Sequence, residues 1–179
     1  MIQAPELSYE SSLKHAAELV KACLNSGGMV LILGVGGNAA TASHLAAELL
    51  GKFETSETPY PAISLTDNHC AVTAITNDFG WDQVFCRQIR AFGRQGDVLI
   101  AFTIGGGGKY LENALGEAHS LGMHVVLSIG SGTAAVIKGL GEGDALVCHH
   151  SVDTPWVQNR QMEFVHDLCR KVKLAEEEV

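Results

Sequence analysis

The segment 29–48 most strongly constrains the fold of this chain. Its apolar start, 29–33, predicts a buried strand, and the glycine-rich 34–37 predicts a tight turn. Asn38 is a favourable N-cap residue for a helix predicted over 38–51. A strand, a glycine turn and a helix N-terminus in this order direct backbone N–H groups towards an anion. The segment therefore indicates a strand–turn–helix unit that binds a phosphorylated small molecule.

His44 and Glu48 lie four residues apart on the predicted helix, so their side chains share one face. An exposed pair without a function has the same spacing. However, the neighbouring Ala42, Leu45, Ala46 and Leu49 predict that most of this helix is buried, and a buried carboxylate needs a partner. A His/Glu pair beside an anion-binding turn indicates proton transfer or metal chemistry on the bound molecule.

Strand and helix patterns alternate along the rest of the chain. The predicted strands are 29–34, 60–65, 97–102, 123–128 and 144–148. The predicted helices are 8–26, 38–51, 69–76, 81–93, 109–121, 133–139 and 155–175, with 77–80 separating the third from the fourth. Such alternation predicts an α/β fold in which a five-stranded parallel sheet is flanked by helices on both faces. Ligands of such sheets bind beyond the carboxyl ends of the strands, where both glycine-rich loops fall.

Composition excludes several classes of protein. The 179 residues suit one domain, and a net charge of −8 argues against sequence-independent nucleic-acid binding. The five cysteines are scattered without a paired motif, which is typical of reduced, mostly buried thiols in a cytoplasmic protein. The first residues lack a signal-peptide pattern, and no apolar run approaches the length of a membrane span. We therefore expect a cytoplasmic protein that binds neither membrane nor nucleic acid.

The glycine turn 34–37 alone is a weak indicator of function. It lacks the GxGxxG spacing, and no acidic residue follows the second strand, as a nicotinamide site would require. A strand-to-helix turn without any ligand is equally compatible with it. The second glycine-rich loop, 103–108, favours ligand binding. A dehydrogenase or a nucleotidyl enzyme remains a weaker alternative on the glycine loops alone.

The last predicted helix contributes Gln158 and His166. Eight residues of helix separate them by about 12 Å along the axis and about 80° around it. They can share one small ligand or metal only if it lies between them, and His166 could equally face a neighbouring subunit. His149 and His150 are adjacent in an extended segment and point to opposite sides. We therefore interpret that pair as structural.

These features together resemble the sugar isomerase (SIS) domain family, and within it the phosphoheptose isomerase type. The resemblance extends over nearly all of residues 1–179, which we expect to form one SIS domain. The matching segments are 36–37, 43–49, 61–63, 74–80, 84–88 and 93–99, together with Gln158 eight residues before His166. The most specific of these is the His-xxx-Glu helix combined with the later Gln/His pair.

The resemblance implies an aldose–ketose isomerase that interconverts sedoheptulose 7-phosphate and D-glycero-D-manno-heptose 7-phosphate, or a related sugar. It implies a zinc-like divalent ion, Zn²⁺ by analogy, held by His44, Glu48, Gln158 and His166. It also implies that Glu48 and His166 are catalytic and exchange protons with the sugar. The implied substrate-binding residues are Gly36, Gly37, Asn38, Glu48, Asn77, Asp78, Thr103, Ile104, Gly105, Gly108, Lys109 and Gln158.

The family is tetrameric, with its sites at subunit interfaces. A homotetramer is also favoured by the apolar faces of the predicted helices 8–26 and 155–175, which a lone sheet domain would leave partly uncovered.

Two loops depart from the family pattern. Where the family has Gly-Asn-Gly-Gly-Ser, this chain has Val35 and Asn38 in place of the asparagine and the serine. Where the family has Ser-Thr-Ser-Gly-Asn-Ser, this chain has Thr103-Ile104-Gly105-Gly106-Gly107-Gly108 and loses three hydroxyl groups. Each hydrogen bond to a charged phosphate contributes about 1.5–3 kcal/mol. Either the anion binds deeper against the backbone of 105–108 with Lys109 as its countercharge, or the loop no longer binds phosphate.

A non-catalytic sugar-phosphate binder is the competing function, like the replication initiator-associating proteins that share this domain. Such a scaffold has no need of the His/Glu/Gln/His set, which this chain retains. The sequence therefore favours an enzyme. Heptose synthesis for lipopolysaccharide and for secondary metabolites are both compatible with it.

Overall fold

A computed structural model describes residues 8–105, 107–131 and 134–174. Five parallel strands form one sheet in the order β2-β1-β3-β4-β5. The strands are β1 Val30–Leu33, β2 Ala62–Ser64, β3 Val98–Thr103, β4 His124–Ile129 and β5 Ala145–Cys148. The predicted parallel α/β sheet is thus confirmed, and every strand lies within two residues of its predicted bounds.

Helices connect the strands and complete the chain. They are α1 Tyr9–Asn25, α2 Gly37–Leu50, α3 His69–Phe79, α4 Val84–Phe92, α5 Lys109–Ser120, α6 Ala134–Ile137 and α7 Thr154–Cys169. A 3₁₀ turn, Trp81–Gln83, precedes α4, and a π-helical turn, Arg170–Leu174, continues α7. Pro155 lies in the first turn of α7, as predicted. The described residues do not include residues 1–7 of the predicted domain, or residues 133 and 175 of the predicted helices.

Two local predictions were wrong. The segment 77–80 was predicted to break a helix, but α3 continues through Asn77 and Asp78 and ends where Gly80 adopts a φ of 86°. A left-handed glycine is a common helix terminator, and the polar residues before it do not end the helix. Asn38 is not the N-cap of α2, because that position belongs to Gly36 and Asn38 is buried within the first turn.

Hydrophobic cores lie on both faces of the sheet. One core contains residues of α1, α2 and α7, together with every second strand residue, such as Ile32 and Ile100. The other joins α4, α5 and α6 to the alternate residues, such as Leu31 and Leu99. Strands buried on both faces explain their unbroken apolar sequence. Helices therefore cover both faces of the sheet, as predicted.

The apolar faces of α1 and α7 differ from the expectation. Most of their apolar residues, such as Val20 and Phe164, are packed into the first core, whereas Trp156 of α7 is 46% exposed. Among the described residues, α3 has no buried side chain, and exposed large apolar side chains occur nearby at Phe79, Trp81 and Phe92. These three side chains form an uncovered apolar surface beside α3 and α4.

The glycine turn after β1 depends on two positions. A side chain at Gly34 would overlap the backbone of Asn38, so the chain can return into α2 only with glycine there. Gly36 has a φ of 64°, a left-handed conformation that disfavours other residues. This turn places the start of α2 directly at the carboxyl edge of the sheet.

The remaining composition-based expectations concern cysteines and membranes. Cys23, Cys86 and Cys169 are buried, Cys148 is half-buried and Cys70 is exposed, and all of them are free thiols. In the part of the chain that the structure describes, no helix has the length and apolar character needed to cross a membrane.

Candidate active site

Three side chains from two helices meet where the later turns of α2 pack against α7. Nε2 of His44 lies 3.1 Å from Oε1 of Glu48 within α2, and 3.2 Å from Nε2 of His166 on α7. The three ligand-capable atoms all lie within 4.8 Å of one another. Glu48 is the more buried of the α2 pair, with 23% of its side chain exposed against 40% for His44. The packing of α2 against α7 therefore joins residues that are 122 positions apart.

The spacing of these atoms fits a tetrahedral metal ion. Zinc binds histidine nitrogen and carboxylate oxygen at about 2.0–2.2 Å, which places neighbouring ligand atoms about 3.4 Å apart. The observed separations of 3.1 and 3.2 Å are close to that edge length. Two imidazoles and one carboxylate are also a common donor set for zinc. The three residues fit such an ion with an open coordination position.

Phe53 borders this cluster, whereas Gln158 lies at the start of α2. The ring of Phe53 stacks on the imidazole of His166 with 6.4 Å between ring centroids. The amide of Gln158 lies against Gly37 and donates a hydrogen bond from Nε2 to Oδ1 of Asn38, at 3.3 Å. The structure thus places the predicted ligand Gln158 beside the glycine turn, and its hydrogen bond goes to Asn38 and not to the cluster.

The second glycine-rich loop begins α5 at the neighbouring strand end. Gly108 occupies the N-cap position with a φ of 112°, and no side chain caps the helix. Lys109 is the first helical residue, as predicted, and its side chain is exposed. Gly36 at the start of α2 likewise provides no side-chain cap. Two helix N-termini without a side-chain cap therefore lie at the same edge of the sheet; Gly106 lies outside the described residues.

Thr103 and Ile104 precede this loop. Thr103 ends β3 and is buried, whereas Ile104 is half-buried and Gly105 is exposed. Beneath the loop, Nε2 of Gln161 donates to the carbonyl oxygens of Thr103 and Ser128 at 2.9 and 3.1 Å. This buried amide holds the ends of β3 and β4 together.

Ser128 and His149 form a second buried polar pair there. Oγ of Ser128 lies 2.9 Å from Nε2 of His149, and both side chains are almost completely buried. Burial lowers the pKa of His149 to about 4, with smaller contributions from Arg160 and His150. His150 is exposed, so the adjacent pair does point to opposite sides, as predicted. Ser128 is thereby engaged within the protein and does not line the strand exit.

Asn77 and Asp78 are not brought to the cluster within one chain. Nδ2 of Asn77 donates to Oδ1 of Asp78 at 2.8 Å on the exposed end of α3. Asp78 instead lines a cavity of about 520 Å³ between α3 and α4, together with Arg87 and Phe79. That cavity does not include His44, Glu48 or His166.

Comparison with known proteins shows the family of this chain. The family model described as SIS domain matches residues 3–130. The chain belongs to the SIS domain family. Among SIS proteins, it is 38% identical over 164 residues to the phosphoheptose isomerase of Campylobacter concisus, covering 92% of this chain and 85% of that relative. The resemblance derived from the sequence motifs is therefore confirmed.

Solved structures place this SIS domain beside the same group. A phosphoheptose isomerase from Francisella tularensis superposes with a TM-score of 0.88 at 31% identity, covering 91% of this chain and 85% of that one. One from Neisseria gonorrhoeae gives a TM-score of 0.84 at 35% identity, with 90% and 84% covered. The structural similarity thus extends over more of the chain than the segment that the family model matches.

Two residues at the site were not predicted. Phe53 is an aromatic residue in a polar loop, which gave no periodic signal. Lys173 is 1% exposed and contacts the end of α2. Lys173 lies seven residues after His166, on the same helical face. A lysine on an otherwise apolar, buried face of a helix was the sequence signal that could have singled it out.

Proposed function

We propose that this SIS domain is a phosphoheptose isomerase that interconverts sedoheptulose 7-phosphate and D-glycero-D-manno-heptose 7-phosphate. The convergence of His44, Glu48 and His166 from two helices supports this assignment most directly. The overall similarity to phosphoheptose isomerases, at 38% identity and over most of both chains, supports the same substrate class. A non-catalytic scaffold would not require three mutually oriented proton- and metal-binding groups.

The reaction moves one carbon-bound proton and one oxygen-bound proton. The Glu48 carboxylate takes the proton from the carbon beside the carbonyl, which leaves an enediol, and returns it to the former carbonyl carbon. His166 transfers the proton between the two oxygens. Positioned acid–base groups of this kind accelerate proton transfer by about 10²–10⁴-fold. Because Glu48 is partly buried, water has limited access to the proton that the carboxylate carries.

His44, Glu48 and His166 would hold a zinc ion, with Gln158 as a further ligand. When bound, the ion would supply Lewis-acid stabilisation of the oxygen that becomes negative during the reaction. Nε2 of His166 faces the other two donors, so ligation and proton transfer compete for that nitrogen. Zinc loading and turnover must therefore be measured separately.

A second copy of the chain would complete the site, in a homotetramer. Asn77 and Asp78 are exposed and separate from the cluster within one chain, although the resemblance implies that they contact sugar hydroxyls. The uncovered apolar surface beside α3 supports an interface there, because such surfaces mark protein–protein contacts. The neighbouring subunit's α3 would then reach the sugar.

The first test measures zinc content and isomerisation of sedoheptulose 7-phosphate for the wild type, His44→Ala and His166→Ala. Both variants should lose bound zinc and turnover while remaining folded, because each loses one of three ligands. His150→Ala is the matched control, since His150 is exposed and outside the cluster. Normal zinc content in both variants would refute the metal assignment, and a wild type without turnover would leave the scaffold as the better explanation.

The phosphate end of the sugar would lie against the second glycine-rich loop. The start of α5 has no side-chain cap, so its backbone N–H groups remain available, and glycines allow close approach. Lys109 would be the countercharge, since lysine binds phosphate as a point charge. The alternative substrate is a neutral sugar or one with a differently placed anion.

Isothermal titration separates these alternatives. Lys109→Ala should weaken binding of the phosphorylated heptulose and leave binding of the unphosphorylated sugar unchanged. Lys138→Ala, an exposed lysine after α6, is the control. Unchanged affinity of Lys109→Ala for the phosphorylated sugar would exclude Lys109. Equal wild-type affinity for both sugars would show that the loop has lost its phosphate site.

A further inference from the structure

Lys173 is a buried lysine at the junction of the two helices that form the candidate active site. It lies in the π-helical turn Arg170–Leu174 that follows α7, and only 1% of it is exposed. Its ammonium group donates hydrogen bonds to the carbonyl oxygens of Glu48, Leu49 and Gly51, at 3.0, 3.4 and 2.6 Å. One side chain thus binds three carbonyls at the end of α2.

The carbonyls at the end of α2 need donors from outside the helix, and that of Leu49 also accepts from the backbone N–H of Tyr60 at 2.9 Å. The last carbonyls of a helix have no partner within it and carry the negative end of the helix dipole. A buried ammonium group is costly unless it is hydrogen-bonded and electrostatically balanced. Among the described residues, Lys173 forms no salt bridge with a carboxylate; the carbonyls at the end of α2 and the nearby Glu48 carboxylate balance its charge. The Tyr60 ring, 5.8 Å away, adds a cation–π contact.

The contact also connects the cluster residues to one another. The Glu48 carbonyl is itself one of the acceptors, and His166 lies seven residues before Lys173 on the continuous α7 segment. Cys169 lies between His166 and Lys173 in the sequence. Burial and the nearby Glu48 carboxylate together raise the pKa of the Cys169 thiol to about 12. A shift of Lys173 would therefore move Glu48 relative to His166.

We propose that Lys173 is a positioning residue that fixes Glu48 of α2 against His166 of α7, for metal binding and for proton transfer. The inference rests on the proposed function, in which both residues act together. It assigns Lys173 no contact with the sugar and no proton-transfer step. Its effect is exerted through the backbone of Glu48 and the orientation of α2.

The test compares Lys173→Met, which keeps the length and removes the ammonium, with Lys173→Arg, which keeps a cationic donor. Lys171→Met is the matched control, because Lys171 lies in the same turn but pairs with Glu10 at 2.7 Å on the surface. Three quantities are measured: zinc affinity, turnover at saturating zinc, and amide hydrogen exchange of 47–51.

Lys173→Met should raise the zinc Kd by about 10–100-fold, as loss of an outer-shell partner does. Its kcat should fall at least tenfold while KM stays within threefold, and exchange at 47–51 should accelerate. Lys173→Arg should recover part of the zinc affinity and kcat, and Lys171→Met should match the wild type. If Lys173→Met does not fold, Lys173→Arg decides: accelerated exchange at 47–51 with a zinc Kd and kcat within twofold of the wild type overturns the proposal.

A merely structural lysine would give a different result. If the zinc Kd and kcat of Lys173→Met stay within twofold of the wild type while its melting temperature falls, the positioning role is overturned. A wild type that binds no zinc and turns over no heptulose phosphate refutes the proposed function instead. Unchanged exchange at 47–51 in Lys173→Met overturns the inference in either case.

Discussion

At the scale of single residues, the site depends on a few atoms held between helices. Glu48 combines a carboxylate 3.1 Å from His44 with a backbone carbonyl bound by Lys173. Its side chain and its backbone are therefore fixed by different partners. This arrangement allows a side-chain substitution to remove chemistry while the helix keeps its place.

Glu48→Gln should abolish proton transfer, because an amide cannot accept the carbon-bound proton. We expect turnover to fall by about 10²–10⁴-fold at saturating zinc, with sugar affinity within threefold of the wild type. Glu18→Gln is the matched control, since Glu18 forms an exposed i,i+4 pair with Lys14. Turnover of Glu48→Gln within tenfold of the wild type would show that Glu48 is not the base.

His149 predicts a pH dependence of stability. Its pKa is lowered to about 4 by burial, so the folded protein holds it neutral, whereas the unfolded chain binds a proton below about pH 6.5. Its contribution is fully present above pH 6.5 and is lost as the pH falls towards 4, by about 3 kcal/mol in the free energy of unfolding.

Urea denaturation between pH 7 and 4.5 tests this, with His149→Asn against the wild type. The variant should show a smaller loss of stability over that range, because its side chain does not titrate. The exposed His150, changed to Asn, serves as the control. Parallel curves for wild type and His149→Asn would contradict the prediction.

At the scale of secondary structure, the packing of α2 on α7 creates the cluster. A Cβ added at Gly37 would lie 2.9 Å from Cδ of Gln158 and closer still to its amide nitrogen. The glycine at the start of α2 therefore leaves room for the α7 amide. Because the obstructed group is the end of a flexible side chain, Gln158 can move aside without disturbing the helix.

Gly37→Ala should displace Gln158 and weaken zinc or sugar binding about tenfold, with little change in melting temperature. Gly116→Ala is the matched control: Gly116 lies inside α5 with no heavy atom within 4 Å of an added Cβ. That change should stabilise the protein by about 0.5–1 kcal/mol and leave binding unchanged. Wild-type affinities for Gly37→Ala would show that the position of Gln158 is unimportant.

At the scale of the whole molecule, the uncovered surface beside α3 and α4 predicts assembly. Light scattering at micromolar concentration should give four times the 19.0 kDa mass of the chain. Phe79→Asp should reduce this mass, because it places a charge in the uncovered apolar surface beside α3. Val152→Asp, at a position that is 76% exposed, should leave the mass unchanged. A monomeric wild type would refute the tetramer, and an unchanged Phe79→Asp would place the interface elsewhere.

The sequence alone determined the order of the elements and most of the candidate cluster. Strand and helix periodicities are local, so the five parallel strands and the position of His44 and Glu48 on one helical face followed from spacing. The motif resemblance added His166, whose role spacing could not establish. Asn38 was misassigned as an N-cap because the left-handed Gly36 occupies that position two residues earlier, where the close approach at Gly34 turns the chain.

The other features of the site depend on contacts between distant segments, so only the tertiary structure established them. No local pattern predicts that Lys173 reaches Glu48 across 125 positions, or that Gln161 joins the ends of β3 and β4. The burial of Ser128 against His149 likewise depends on the packing of two separate segments. Burial and hydrogen bonding of a polar group are set by whatever packs against it, and only the assembled α2, α7 and sheet supply those neighbours.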